Sequence, residues 1–438
     1  MTTTLKVFAA DGRAGRRRVE RLVGRGREIL DPKTLRATRK IVEGVRKGGD
    51  RALLRYVRRL DGFPAASMAD VELQRSASLG GGGAAGPGPP TPEGLPQGFA
   101  EALEEAIAAV TRYHRPQVHE GYRQEEDGVV VEERRSPLGR VGIYVPGGRA
   151  SYPSTVVMTA IPARLAGVEE IVAATPPGPY RANAALRYTL HRLKVDEVWG
   201  MGGAHAVAAL AYGTGSIRAV DKIVGPGNAW VTAAKSVVAA QVGIDSLAGP
   251  TEVVIVADGA LEGDDGAVER LAADLLAQAE HDPRAAAVLV AHGDRRARRL
   301  ARKVAKRVEA RLEGLETAAT ARASLRAFGA ALVVDTLEEA AALVERLAPE
   351  HLQLVGPDAE SLAERTGPHL PAGAIFVGSA TPEVFGDYVA GPSHVLPTCG
   401  TARFASALGV EDFVRRSHVV RFSEEAARAH APAARALA

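Results

Sequence analysis

The chain of 438 residues has one cysteine, Cys399, two tryptophans and 5% aromatic residues. A lone thiol cannot form an intrachain disulfide and excludes a cysteine-based zinc site. The simplest compartment for such a chain is a reducing cytoplasm. Scarce aromatics leave the core to Ala, Val, Leu and Ile. No run of ~18 uncharged apolar residues is present, so no membrane helix is expected; even the apolar stretch before Gly167 is broken by Arg164. Long basic runs interleaved with aromatics are also lacking, so nucleic acid is not an expected partner. The densest basic stretch, Arg13 to Arg27, contains Glu20 and spaces Val19, Leu22 and Val23 as a basic surface helix does. It has no apolar segment of the kind a signal peptide needs.

What remains is globular material. With 46% hydrophobic and 24% charged residues, a large apolar surface must be buried, which excludes wholesale disorder. At roughly 150 residues per domain the length suggests about two or three domains.

Residues 1–62 read as helices, with Leu35–Lys47 and Arg51–Leu60 separated by Gly48-Gly49-Asp50. Residues 79–94, LGGGGAAGPGPPTPEG, form a low-complexity linker. It contains G-x-G-x-x-G at Gly81, Gly83 and Gly86, but no strand precedes it and a proline cluster follows. It therefore lacks the strand–turn–helix context of a dinucleotide fingerprint. A helix resumes at Phe99–Tyr113.

From residue 128 strands and helices alternate. Strands are expected at Arg140–Val145, Ile171–Thr175, Glu197–Met201 and Lys222–Val224, with helices at Ser154–Ala166, Ala182–Leu193, Ala204–Ala211 and Asn228–Val242. The alternation restarts with strands at Glu252–Ala257, Ala287–Ala291, Ala330–Val334, Leu352–Val355 and Ala374–Val377. Helices at Ala267–Glu280, Arg295–Leu312, Leu337–Leu347 and Ala359–Thr366 separate these. The pattern predicts an α/β fold with two parallel sheets and crossover helices. The expected organisation is a helical region over 1–127, α/β domains over 128–247 and 248–385, and a C-terminal loop with helices over 386–438.

Four patterns stand out. Gln278 and His281, in DLLAQAEHDP, share one face of a helix that Pro283 ends, with Asp274 on the same stripe. Amide oxygen and imidazole can bind a divalent metal; taken alone, the turn is more simply a polar helix end. Glu350-His351, at a helix-to-strand junction, offers a carboxylate and an imidazole for acid–base work, or a solvated junction. Asp387 and His394 lie in the Gly/Pro-rich GDYVAGPSHVLPT, where Asp387 offers a hard oxygen ligand or a turn cap. Three glycine turns, YVPGG, MGGAHA and VGPGNAW, each follow a strand and open a helix, as phosphate sites do.

These segments together resemble the histidinol dehydrogenase family. GIYVPGG, GGAHAVAALAYG, VDKIVGPGNAWVTAAK, AGPTEVVIVAD, DLLAQAEHDP, APEHLQL and GDYVAGPSHVLPT occur in order between about Gly139 and Phe422. The resemblance implies two incomplete Rossmann-like domains and a homodimer with shared active sites. It also implies a Zn2+-dependent oxidation of L-histidinol to L-histidine with two NAD and a water, through a bound histidinaldehyde. It carries the metal ligands to Gln278, His281 and Asp387 and the catalytic pair to Glu350 and His351. NAD contacts fall on Tyr144, His205 and Asn228, and substrate contacts on Thr251, Gln278, His281, His351, Asp387 and His394.

The residue types suit that chemistry. A neutral imidazole such as His351 can take the hydroxyl proton during hydride removal. Glu350 can deprotonate the water that hydrates the aldehyde. Zinc would act more as a template than as an electrophile. Cys399 follows this loop, but the family commonly has glycine there, so a thiohemiacetal route is not expected. His205 stands where many members have glutamine. The family also supplies a fourth metal ligand, a histidine of the partner subunit, from a segment beyond this chain's last residue. Glu425 and His430 only superficially match it, one helix too early. Two other readings follow: a paralogue acting on another amino or sulfonate alcohol, and a metal-binding dimer impaired in catalysis.

Overall fold

The computed structural model describes residues 3–76, 90–147, 152–357, 359–366 and 370–438. Most of the 79–94 stretch, including Gly81, Gly83 and Gly86, lies outside them, as does Gly148.

Fifteen strands are described, in chain order β1 (Val7–Ala9), β2 (Glu72–Arg75), β3 (Arg123–Glu126), β4 (Val129–Pro137), β5 (Arg140–Tyr144), β6 (Glu170–Thr175), β7 (Glu197–Gly200), β8 (Lys222–Val224), β9 (Gly243–Ile244), β10 (Glu252–Asp258), β11 (Ala286–His292), β12 (Ala330–Val334), β13 (His351–Val355), β14 (Ala374–Val377) and β15 (Val414–Phe422). The first sheet has the order β2-β7-β6-β5-β8-β9, the second β1-β12-β11-β10-β13-β14. All pairs within these two are parallel except β2 on β7. Five strands of each sheet thus follow one order, with β5 and β10 leading the two halves. That is the Rossmann-like arrangement, with a switch point between β5 and β8 and another between β10 and β13.

Sequence explains most of these elements. β10, EVVIVAD, is buried along six successive residues, as a parallel strand covered on both faces must be. Arg295–Leu312 buries Ala297, Leu300, Ala301, Val304, Ala305, Val308 and Leu312 and turns its arginines and lysines outward. The two expected N-terminal helices are one element, Pro32–Leu60, kinked at Gly49, where φ is +52°; glycine adopts that conformation without a side-chain clash.

Three features differ from the expectation. Residues 1–62 are not all helical: β1 pairs Val7 with Ala331 and extends the second sheet. Three residues carry too little periodicity to show this, and the edge of β12 decides it. Ala182–Leu193 splits into Pro177–Ala182 and Ala184–Arg192. A third, antiparallel sheet of order β15-β4-β3 is largely exposed and places a strand within the C-terminal region.

Each large sheet has a core on both faces. Pro32–Leu60, Gly203–Tyr212 and Ala229–Val238 cover one face of the first sheet. Asp265–His281, Arg295–Leu312 and Ala318–Phe328 cover one face of the second.

Candidate active site

Three glycine turns leave the carboxyl ends of β5, β7 and β8 and meet the N-terminal helices. Together they line a cavity of about 800 Å³ that includes Tyr144, Pro146, Gly203, His205, Asn228 and Trp230, with Asp61 from the end of the long helix. Tyr144 Oη accepts a hydrogen bond from the Gly203 N–H at 3.0 Å. Burial pushes its pKa up to about 12, so it stays a neutral phenol. His205 is buried; its Nε2 lies 2.8 Å from Asp61 Oδ2, and its Nδ1 has no partner among the described residues. Asp61 also accepts from the Gly202 N–H at 3.2 Å. A carboxylate beside Nε2 favours the tautomer with the proton there, leaving Nδ1 as an acceptor. The Asn228 side chain accepts from the Trp230 and Val231 N–H groups, so it caps the helix that follows.

A second pocket, of about 150 Å³, lies where the first sheet's carboxyl edge meets the amino edge of the second. Tyr152, Thr155 and Pro226 line it from the first half; Thr251, His281, Glu350, His351, Glu383, Asp387 and His394 line it beyond. His351 opens β13, where it pairs with Val253 on one side and Ala374 on the other. Glu350 precedes it. Glu350 Oε2 accepts from the Thr251 hydroxyl at 2.6 Å and from the Glu252 N–H at 3.1 Å. Gln278 Nε2 donates to Thr251 Oγ1 at 2.9 Å. A continuous chain thus runs Gln278–Thr251–Glu350.

The pocket is crowded with acids. His351 Nδ1 lies 3.4 Å from Glu383 and 3.9 Å from Glu350. Burial pushes Glu350 up to about 7, with its two hydrogen bonds opposing and the Asp387 charge adding. Burial does the same to Glu383, to about 7, opposed by His351. Buried groups poised near neutrality are what acid–base chemistry uses. His394 is driven below its usual value by burial, with Asp387, 3.7 Å away, opposing.

The sequence-predicted residues fall into two places. Tyr144, His205 and Asn228 line the large cavity; Thr251, His281, Glu350, His351, Asp387 and His394 line the small one. Gln278 does not line it; it reaches it through Thr251, and its Oε1 is buried without a partner among the described residues. The ligand-type atoms of His351, Glu383 and Asp387 lie within 4.8 Å of one another. That group shares only Asp387 with the expected set of Gln278, His281 and Asp387. Asp274, on the stripe of Gln278, accepts instead from Gln353 at 3.0 Å. His430 packs edge-on against Phe422.

Cys399 is buried, and burial with the Glu252 charge pushes its thiol up to about 12. Its φ of +54° suits the glycine expected there. Sequence reasoning missed Glu383 and Asp61. The short segment TPEVFG around Glu383 has no spacing to mark it; Asp61, directly after a helix end, reads as a cap.

A family model described as histidinol dehydrogenase matches residues 26–438. The chain is 46% identical over 393 residues to the histidinol dehydrogenase of Syntrophotalea carbinolica, covering 88% of this chain and 84% of that one. It is 40% identical over 440 residues to that of Prochlorococcus marinus, covering 100% and 93%. The crystal structure of histidinol dehydrogenase from Elizabethkingia anophelis superposes with a TM-score of 0.83 at 27% identity, covering 100% of this chain and 95% of that one.

Proposed function

The chain belongs to the histidinol dehydrogenase family, and from that premise we propose that it oxidises L-histidinol to L-histidine, the last step of histidine biosynthesis, with two NAD and one water. The observation that carries the proposal is the buried Glu350–His351 couple in a pocket that shares the Gly225–Trp230 turn with a dinucleotide-sized cavity.

In this reading His351 takes the hydroxyl proton as the alcohol carbon loses hydride. Glu383 and Glu350, beside its Nδ1, stabilise the imidazolium that forms. Glu350 then removes a proton from the water that adds to the aldehyde, a role suited to a carboxyl poised near 7. Thr251 and the Glu252 amide hold its oxygen in place. His351 acts again as base for the second oxidation.

Tyr144, His205 and Asn228 would hold NAD, which supplies the two-electron acceptor when bound. The cavity volume, the three glycine turns and the unpartnered His205 Nδ1 fit it. Gln278, His281 and Asp387 would hold zinc, which supplies a template for the substrate's nitrogens. The donor set fits: among the described residues Gln278 Oε1 is buried without a partner, and His281 and Asp387 line one pocket.

A homodimer belongs to the same proposal. Val420, Phe422 and Tyr122 are exposed on and beside the antiparallel sheet, and Glu424–Leu437 buries only Ala426. An amphipathic helix with so little of its own chain to pack against is marginal by itself. A cytoplasmic location fits a chain with one cysteine and, among the described residues, no helix long and apolar enough to cross a membrane.

The test is NADH formation from L-histidinol by the purified, zinc-loaded protein. Two NADH per histidinol are expected. Bound zinc without NADH would leave a metal-binding dimer, and faster turnover of another amino or sulfonate alcohol would identify a paralogue.

A further inference from the structure

One short turn separates the two pockets. Pro226 lines the catalytic pocket, while Asn228 and Trp230 line the cofactor-sized cavity. The turn begins at Gly225, where φ is +106° and an added Cβ would meet the Tyr144 carbonyl oxygen at 2.4 Å. The backbone is therefore pressed against the end of β5. Gly225, Pro226 and Gly227 carry no side chain that can anchor them there.

The anchor comes from two buried charges further along the chain. Asp245 Oδ2 accepts from the Gly225 N–H at 2.8 Å. Lys235 Nζ donates to the Gly225 carbonyl at 2.6 Å and to Asp245 Oδ1 at 2.5 Å. Both polar groups of one glycine are thus gripped by one ion pair whose side chains are each 4% exposed. The helix that bears Lys235 is tied to the segment entering β10 by Thr232, which donates to the Ala248 carbonyl at 2.9 Å. A buried ion pair is seldom the cheapest way to fill a core. What this pair adds is a hydrogen-bonded hold on both polar groups of Gly225, between the end of β8 and the Asn228 cap.

We propose that Lys235 and Asp245 are positioning residues for hydride transfer: they fix the partition between the substrate and cofactor pockets. Neither residue lines either pocket, so they act only through the turn. The proposal rests on the dehydrogenase reading above. Hydride transfer needs its donor and acceptor carbons held within about 3.5 Å, and small displacements are costly.

The experiment compares the zinc-loaded parent with Lys235→Met, Asp245→Asn and the double variant Lys235→Gln/Asp245→Asn. The readings are kcat, KM for histidinol, zinc content, and the primary isotope effect with substrate deuterated at the hydroxymethyl carbon. Lys235→Met is expected to lower kcat by ~10- to 100-fold with zinc content and KM for histidinol little changed. The isotope effect should grow as hydride transfer becomes rate-limiting. The double variant should regain much of the lost kcat, because its amides can still donate to the Gly225 carbonyl and accept from its N–H.

An unchanged kcat in Lys235→Met overturns the proposal. A loss with an unaltered isotope effect and no recovery in the double variant overturns it too. Should Lys235→Met fail to fold, Asp245→Asn decides by the same readings. A parent that makes no NADH from histidinol defeats the assigned reaction, a result distinct from variants that match an active parent.

Discussion

The two halves share a strand order but turn opposite ends of it toward the site. The first presents the carboxyl ends of β5, β7 and β8, the usual place for a ligand in an open parallel sheet, and holds a cavity of about 800 Å³ there. The second presents its amino ends. Thr251 and Glu252 enter β10, and Glu350 and His351 enter β13. At its own carboxyl edge the crevice between β10 and β13 shrinks to about 10 Å³, lined by Asp258, His292, Leu337, Leu354 and Leu362. Gly356 passes so close that a Cβ would lie 2.7 Å from the Asp258 Cβ. Topology supplies a crevice in both halves; side-chain filling decides which one is open.

The largest effect is expected at His351. His351→Asn should lower kcat by ~10²- to 10⁴-fold, while NAD affinity measured by fluorescence titration stays put. A parallel loss of NAD affinity would show that the halves do not divide the work. Gly356→Ala probes the closed crevice. With φ at +134° and no space for a methyl group, it should cost ~1–3 kcal/mol in denaturant unfolding and leave KM for NAD alone. A raised KM at intact stability would mean the second crevice takes part in cofactor binding.

Glu350 gives the amino-end site a pH dependence. Its folded pKa, about 7, lies above the ordinary carboxylate value. Activity that needs the carboxylate should rise with pH through about 7, and Glu350→Gln should abolish that limb. The stability contribution has the opposite sign. It is complete below the unfolded carboxylate pKa and is lost as pH rises through about 7, because the unfolded chain gives up this proton earlier than the folded one does. Urea midpoints should therefore favour Glu350→Gln over the parent at alkaline pH and not in acid. The smallest effect is expected at Cys399: Cys399→Ser should keep most turnover in the NADH assay, since the thiol is buried and held neutral. Complete loss would restore a covalent route.

Much of this arrangement is legible in the letters. Runs such as EVVIVAD admit one reading once length and flanking helices are weighed, and Gly48-Gly49 marks a real kink. At the third glycine turn the reason is plain, since a Cβ on Gly225 would meet the Tyr144 carbonyl oxygen at 2.4 Å. What escaped is what only tertiary contact creates. β1 exists because β12 has a free edge. The polar strands RQEE and VRRSHVVRF pair in the antiparallel sheet without an apolar alternation to announce them. Glu383 becomes notable only when folding brings it within reach of His351, thirty-two positions earlier in the chain.

The ladder that flanks His351 constrains how this protein can evolve. A strand offers its side chains two directions only, so adding or deleting one residue between Ala348 and the Val253–His351–Ala374 register would swing the imidazole to the opposite face. Hinge loops can absorb changes of length gradually. This junction cannot, because a shift of one residue there takes the imidazole out of the pocket.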